Sequence, residues 1–73
     1  MKNYNKNNLK IGDTIFLEQA WEDEAGISHD EFAEITRIYS KGKLQLRFIA
    51  VSSVVKAYLA KYEYLANDYK KEG

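Results

Sequence analysis

From Leu9 the apolar residues fall on alternate positions, Leu9, Ile11, Ile15, Leu17 and Trp21, with Asp13 and Gln19 completing the odd set. A period of two places most of them on one face of a strand. Gly12-Asp13 interrupts the alternation and predicts a turn into a strand that starts at Thr14. Glu22-Asp23-Glu24-Ala25-Gly26 then reads as a hairpin loop, with Gly26 supplying a positive φ.

The stretch 28–40 supports two readings. As a strand it offers Ala33, Ile35 and Ile38, with a change of parity that a β-bulge accommodates. As a helix it has Ser28 as N-cap, Glu31 three residues on, Ile27 placed to staple Phe32, and Gly42 as a stop. The strand fits better, because Ile35-x-x-Ile38 and Leu44-x-Leu46-x-Phe48 flank the tight turn Ser40-Lys41-Gly42-Lys43. Leu44, Leu46 and Phe48 face one way, and Gln45, Arg47 and Ile49 the other.

From Val51 the period lengthens to 3.6. Val51, Val54, Val55, Tyr58, Tyr62, Leu65, Ala66 and Tyr69 form one stripe, which predicts an amphipathic helix running to the C-terminus. Ser52 or Ser53 caps its start, Lys70 and Lys71 suit the negative end of its dipole, and Gly73 follows its last turn. Tyr64 is expected on the solvent side. The predicted fold class is α+β: a small three-stranded antiparallel β-meander closed by a C-terminal amphipathic helix, in one domain spanning 9–73. Residues 1–8 hold four Asn, two Lys and little apolar surface beyond Tyr4, so a flexible N-terminal tail is expected.

The run Leu9-Lys10-Ile11-Gly12-Asp13-Thr14-Ile15, followed by Ile35-x-x-Ile38 and Gly42-x-Leu44-x-Leu46-x-Phe48, resembles the strand grammar of small barrels of the SH3, KOW and Tudor type. That resemblance covers the middle of the chain and implies a binding module acting on peptides or nucleic acids. The aromatic cage of a methyl-lysine reader is not readable as a motif.

Composition narrows the chemistry. The chain has 73 residues, no cysteine and a single histidine, His29. Disulfides, thiolate metal sites and cysteine nucleophiles are therefore excluded, and stability has to come from a well-packed small core or from self-association. No apolar run exceeds four residues, the length of 48–51, against about 20 for a membrane span. A cytoplasmic protein is expected. Lys, Asn, Ile, Tyr and Phe supply 29 residues against 13 for Gly, Ala, Arg and Pro, the bias of an AT-rich genome such as that of a low-GC bacterium or its phages.

The formal net charge is zero, yet the charges are sorted. Glu18, Glu22, Asp23, Glu24, Asp30, Glu31 and Glu34 are seven carboxylates in a segment without Lys or Arg, and the rest of the chain carries +7. One expectation is that the acidic loop packs near the basic hairpin and each neutralises the other. Unneutralised, they make two separate surfaces.

Ser28, His29 and Asp30 have the residue types of a nucleophilic triad, but consecutive residues point in different directions and cannot align as one. Glu22-Asp23-Glu24 lacks the spacing of a calcium loop, and the glycines are too isolated for a phosphate loop. No catalysis, metal or cofactor is expected.

Two binding surfaces remain. The first takes a protein partner through Trp21, Glu22, Asp23, Glu24, Asp30 and Glu31, an aromatic anchor with an acidic rim. This is the preferred reading, and it suits a phage or mobile-element accessory protein that engages a host protein. The alternative is nucleic-acid binding through Arg37, Tyr39, Lys41, Lys43 and Arg47, with Phe48 as a further stacking group and Lys56 and Lys61 extending the basic surface. A sequence pI near 6.6 weighs against it. Finally, about 30 Å of helix over a sheet of about 20 Å leaves the turns near Tyr69 overhanging, which predicts a twofold homodimer through the C-terminal helix.

Overall fold

The computed structural model describes residues 2–72 and contains one curled antiparallel sheet with a short helix beside it. Four strands pair in sequence order: β1 (Thr14–Glu22), β2 (Ser28–Ile38), β3 (Lys43–Phe48) and β4 (Tyr64–Leu65). Helix α1 (Ser53–Leu59) lies between β3 and β4. The α+β class and the meander of the first three strands are as predicted. The strand count is not, since the expected three are joined by a fourth.

Segment 28–40 resolves its two readings in favour of a strand. Ile35 pairs with Leu46, Ile38 pairs with Leu44, and the register shifts between Ile35 and Arg37 where the parity changes. Gly42 is buried in the turn that follows, at φ +76°, and a Cβ there would run into the carbonyl oxygen of Tyr4. Lys41 beside it also sits in the left-handed region, at φ +62°. A second irregularity interrupts β1 between Leu17 and Trp21, where Gln19 adopts φ +53°. Two bulges in neighbouring ladders bend the sheet, so that its inner face wraps a core of Leu9, Ile15, Leu17, Ala33, Ile35, Leu44, Phe48, Leu59 and Ala66.

The C-terminal helix is far shorter than predicted. Ser52 caps it, its hydroxyl accepting from the Val55 N–H, but the seven-residue helix closes at Leu59. Bonds from Lys61 N–H to the Tyr58 carbonyl and from Tyr62 N–H to the Leu59 carbonyl tighten its end. The chain then extends, and Leu65 and Tyr64 pair with Lys43 and Leu44. Tyrosines at 62 and 64 fit a strand as well as a helix, and the unpaired edge of β3 decides for the strand.

The buried stripe also differs from the predicted one. Val51, Val55 and Leu59 turn inward, whereas Val54 is 78% exposed and Tyr58, Tyr62 and Leu65 face outward. Tyr64, expected in solvent, packs against the core with Tyr69. The overhanging turns that argued for a helix-mediated dimer therefore do not exist. Gly73, expected to end that helix, lies outside the described residues, as does Met1.

The N-terminal segment is bonded across the fold rather than projecting from it. Asn7 Nδ2 donates to the Tyr69 carbonyl, Lys6 N–H donates to Asn67 Oδ1, and Asn67 Nδ2 donates to the Asn3 carbonyl, each at 2.8–2.9 Å. Asn5 brackets Leu9, accepting from its N–H and donating to its carbonyl. The asparagines that suggested disorder act as backbone mimics, and buried Leu9 anchors them.

Replacing Leu59 by Ala should lower unfolding free energy by about 2–5 kcal/mol, whereas Val54→Ala should stay within about 0.5 kcal/mol of the parent. Urea unfolding of the two variants checks this. Equal losses would restore the stripe read from the sequence.

Candidate functional site

The β1–β2 loop is built around one carboxylate. Asp23 Oδ1 accepts from the Ala25 and Ile27 N–H groups at 2.9 and 3.0 Å, and the Asp23 N–H donates to the Ile27 carbonyl. Gly26, at φ +79°, closes the turn onto the Asp23 carbonyl. The other oxygen, Oδ2, lies 2.8 Å from His29 Nε2, and a carboxylate can only accept, so that nitrogen carries the proton. The bond to His29, helped by the Ile27 N–H, holds the Asp23 carboxyl below its ordinary pKa.

Trp21 and His29 are cross-strand partners, and their rings stack 4.2 Å apart at 11°. The indole Nε1–H donates to Glu31 at 2.7 Å. Asp30 accepts from the Gln19 N–H at 2.8 Å and so holds the β1 bulge. Of the six acidic-surface candidates, Trp21 is therefore oriented by Glu31 and His29, Asp23 shapes the loop, and Asp30 shapes the strand. The side chains of Glu22 and Glu24 make no hydrogen bond or ion pair among the described residues.

Sequence reasoning missed the other wall. Val54, Val55 and Tyr58 of α1 face Trp21, Glu22, Asp23 and Glu24 across a groove of about 380 Å³. The exposure of Val54 was masked by its place in an apparently buried stripe. Trp21 itself is half-buried, one side packed on the core and the other lining the groove.

A second cleft of about 380 Å³ opens next to the first, with Tyr58 lining both. Residues 17–20 of β1 form one side, and Tyr62, Glu63, Tyr64 and Tyr69 the other. The Tyr58 and Tyr62 hydroxyls share a hydrogen bond at 2.8 Å, and this pairing, with the negative charge that Tyr62 brings beside it on ionisation, holds Tyr58 above its ordinary pKa. The Tyr64 hydroxyl donates to the Leu59 carbonyl, and burial pushes its pKa up to about 12, with the neighbouring tyrosines adding to the effect.

The basic candidates gather around the β2–β3 turn. The Arg37 guanidinium lies 5.9 Å from the centre of the Tyr39 ring, and Tyr39 donates to Gln45 Oε1. Lys41 stands in the turn and Lys43 approaches Glu63 at 4.0 Å. Arg47 is held by Glu34 through two donors, its Nε at 3.0 Å. Phe48 is buried and offers no stacking face. Acidic loop and basic turn lie at opposite ends of the eleven-residue β2, about 35 Å apart along the strand, so they do not neutralise each other.

No family model, curated relative or solved structure matches the chain. No helix is long and apolar enough to cross a membrane among the described residues.

Linkage gives opposite pH signs to Asp23 and Tyr64. Asp23 is depressed, so its contribution to stability is present above the ordinary 3.8 and is lost as pH falls through the lower folded value. Tyr64 is raised, so its contribution is present below 10.0 and is lost as pH climbs toward about 12. A carboxyl-carbon NMR titration should place Asp23 below 3.8, and His29→Ala should move it back toward that value. An unchanged midpoint in the variant would remove the histidine from the account.

Proposed function

We propose that this chain is a small binding module that seats a segment of another protein in the groove between the β1–β2 loop and α1. The observation that carries this reading is the pairing of an apolar lining on both walls, Trp21 on one and Val54 and Tyr58 on the other, with the acidic residues Glu22, Asp23 and Glu24. Among the described residues no Lys or Arg lines the groove. An apolar side chain flanked by Lys or Arg is complementary to it in shape and charge: the anchor supplies affinity, and the charges supply encounter rate and register.

The acidic residues divide the labour. Asp23, Asp30 and Glu31 hold the loop, the bulge and the indole in place, which leaves Glu22 and Glu24 free to meet a cation. A preorganised aromatic anchor loses little rotamer freedom on binding. The small-barrel likeness of the strand pattern supports a binding role as well, and we read the curled sheet as an incompletely closed barrel of that kind.

Nucleic-acid binding is the weaker reading. Arg37 and Lys41 remain available for phosphates, but Glu34 occupies Arg47 and Glu63 stands beside Lys43. Steep salt dependence would accompany such binding.

Trp21 is the single tryptophan, so its fluorescence reports the groove directly. A synthetic peptide with Leu-Phe between two Lys pairs should shift that emission, and Val54→Asp or the pair Glu22→Lys with Glu24→Lys should weaken it at least tenfold. Reversing Arg37 and Lys41 should leave it unchanged. Tight binding of a short DNA strand, abolished by reversing the basic set and not the acidic set, would replace this reading with the nucleic-acid one.

A further inference from the structure

The sheet is not closed. On the side away from β2, strand β1 is paired only at its start, where the Glu72 N–H donates to the Thr14 carbonyl at 2.8 Å and Ile15 bridges Lys71. Backbone groups alternate in direction along a strand, so Phe16 and Glu18 point the same way as Thr14. Leu17, between them, is the last residue in register with β2 before the bulge. From Glu18 onward the outer edge of β1 has no strand partner among the described residues.

The second cleft lies along this edge. Its far wall is Tyr62, Glu63 and Tyr64, where β4 pairs with β3 on one side and, among the described residues, with no strand on the other. Two unpaired edges thus face each other across one slot. The chain itself begins to fill it: residues 71–72 run antiparallel to β1, then the backbone turns away through Tyr69 and the short 3-10 helix Ala66–Asp68.

We infer that this seam is a β-strand-addition site, in which an extended, basic segment of another protein pairs with the outer edge of β1 from Glu18 onward and continues the line that residues 71–72 start. Charge selects the occupant. Glu18 and Glu63 stand in the two walls, Glu63 within 4.0 Å of Lys43, with no Lys or Arg among the lining residues, and Glu22 continues the acidic edge. A second copy pairing edge to edge would set Glu18 and Glu22 against their own images, which disfavours self-association here. Lysine or arginine on alternate positions meets those carboxylates, and the rings of Tyr58, Tyr62 and Tyr69 offer faces to cations and apolar side chains. Main-chain bonds supply affinity in this mode, and side-chain alternation supplies specificity.

The site differs from the Trp21 groove in what it recognises, backbone rather than an anchoring side chain, and stands whether or not that groove is used. The test is a capped heptapeptide of alternating Lys and Val, added to the full chain labelled for NMR. Two analogues carry N-methyl groups on the Lys set or on the Val set. Only one of these sets faces β1, so one analogue should lose binding at least tenfold and the other should retain it. Exchange of the Glu18 amide with solvent should slow at least tenfold at saturation. Glu18→Lys and Glu63→Lys, on opposite walls, should each weaken binding at least tenfold, while Val54→Asp should not. Equal binding of both analogues, an unprotected Glu18 amide, or no binding at millimolar peptide would overturn the inference. Binding sensitive to Val54→Asp and indifferent to N-methylation would do the same, while leaving the groove reading intact.

Discussion

Ala33 and Ile35 have no exposed surface, and both belong to β2, which pairs with β1 on one side and β3 on the other. Fully burying a side chain the size of Ile35 stabilises by about 1.5–3 kcal/mol, a large share of what a chain this small can have in total. The burial holds only if β1 and β3 curl toward each other over the same face. The irregularities at Gln19 and between Ile35 and Arg37 permit that curl, so the ladder is interrupted at the points where a flat sheet would leave the core open. Closure from the third side falls to Leu59, Ala66 and Leu9, drawn from a helix, a turn and the N-terminal segment.

That dependence explains which parts of the fold were legible. Strands one to three announced themselves by alternation, and even the parity change in β2 could be read, because each residue's face is fixed by period two. The C-terminal third was misread because tyrosine every few positions satisfies both periods. What separates them is the free edge of β3, a tertiary fact with no local signature. The asparagine-rich start misled for a related reason. Its Asn7 side chain reaches the Tyr69 carbonyl, and its Lys6 N–H and Asn3 carbonyl meet the Asn67 side chain, more than sixty positions away.

The candidate site was half legible. Trp21 and the acidic run stood out by type, but composition could not distinguish carboxylates that build the loop from those that remain free. Asp23 accepts from two backbone amides and an imidazole, so its charge is largely committed to the fold. Glu22 and Glu24, chemically equivalent on paper, carry no such duty. Val54 was invisible as a site residue because an apolar side chain on an amphipathic helix is by default assigned to the core.

The same acidic residues bear on why the sheet remains open. Unpaired strand edges invite association, and a bulge together with glutamates along β1 is the usual protection against it. Such protection acts by charge and shape, so it repels another copy of this chain more than it repels a cationic strand. With acidic and basic ends held apart by the length of β2, the molecule presents to any approaching chain one end that attracts cations and another that attracts anions. The groove and the seam both lie toward the acidic end and share the Tyr58 ring, so a basic segment drawn there meets an apolar anchor site and an unpaired strand edge together.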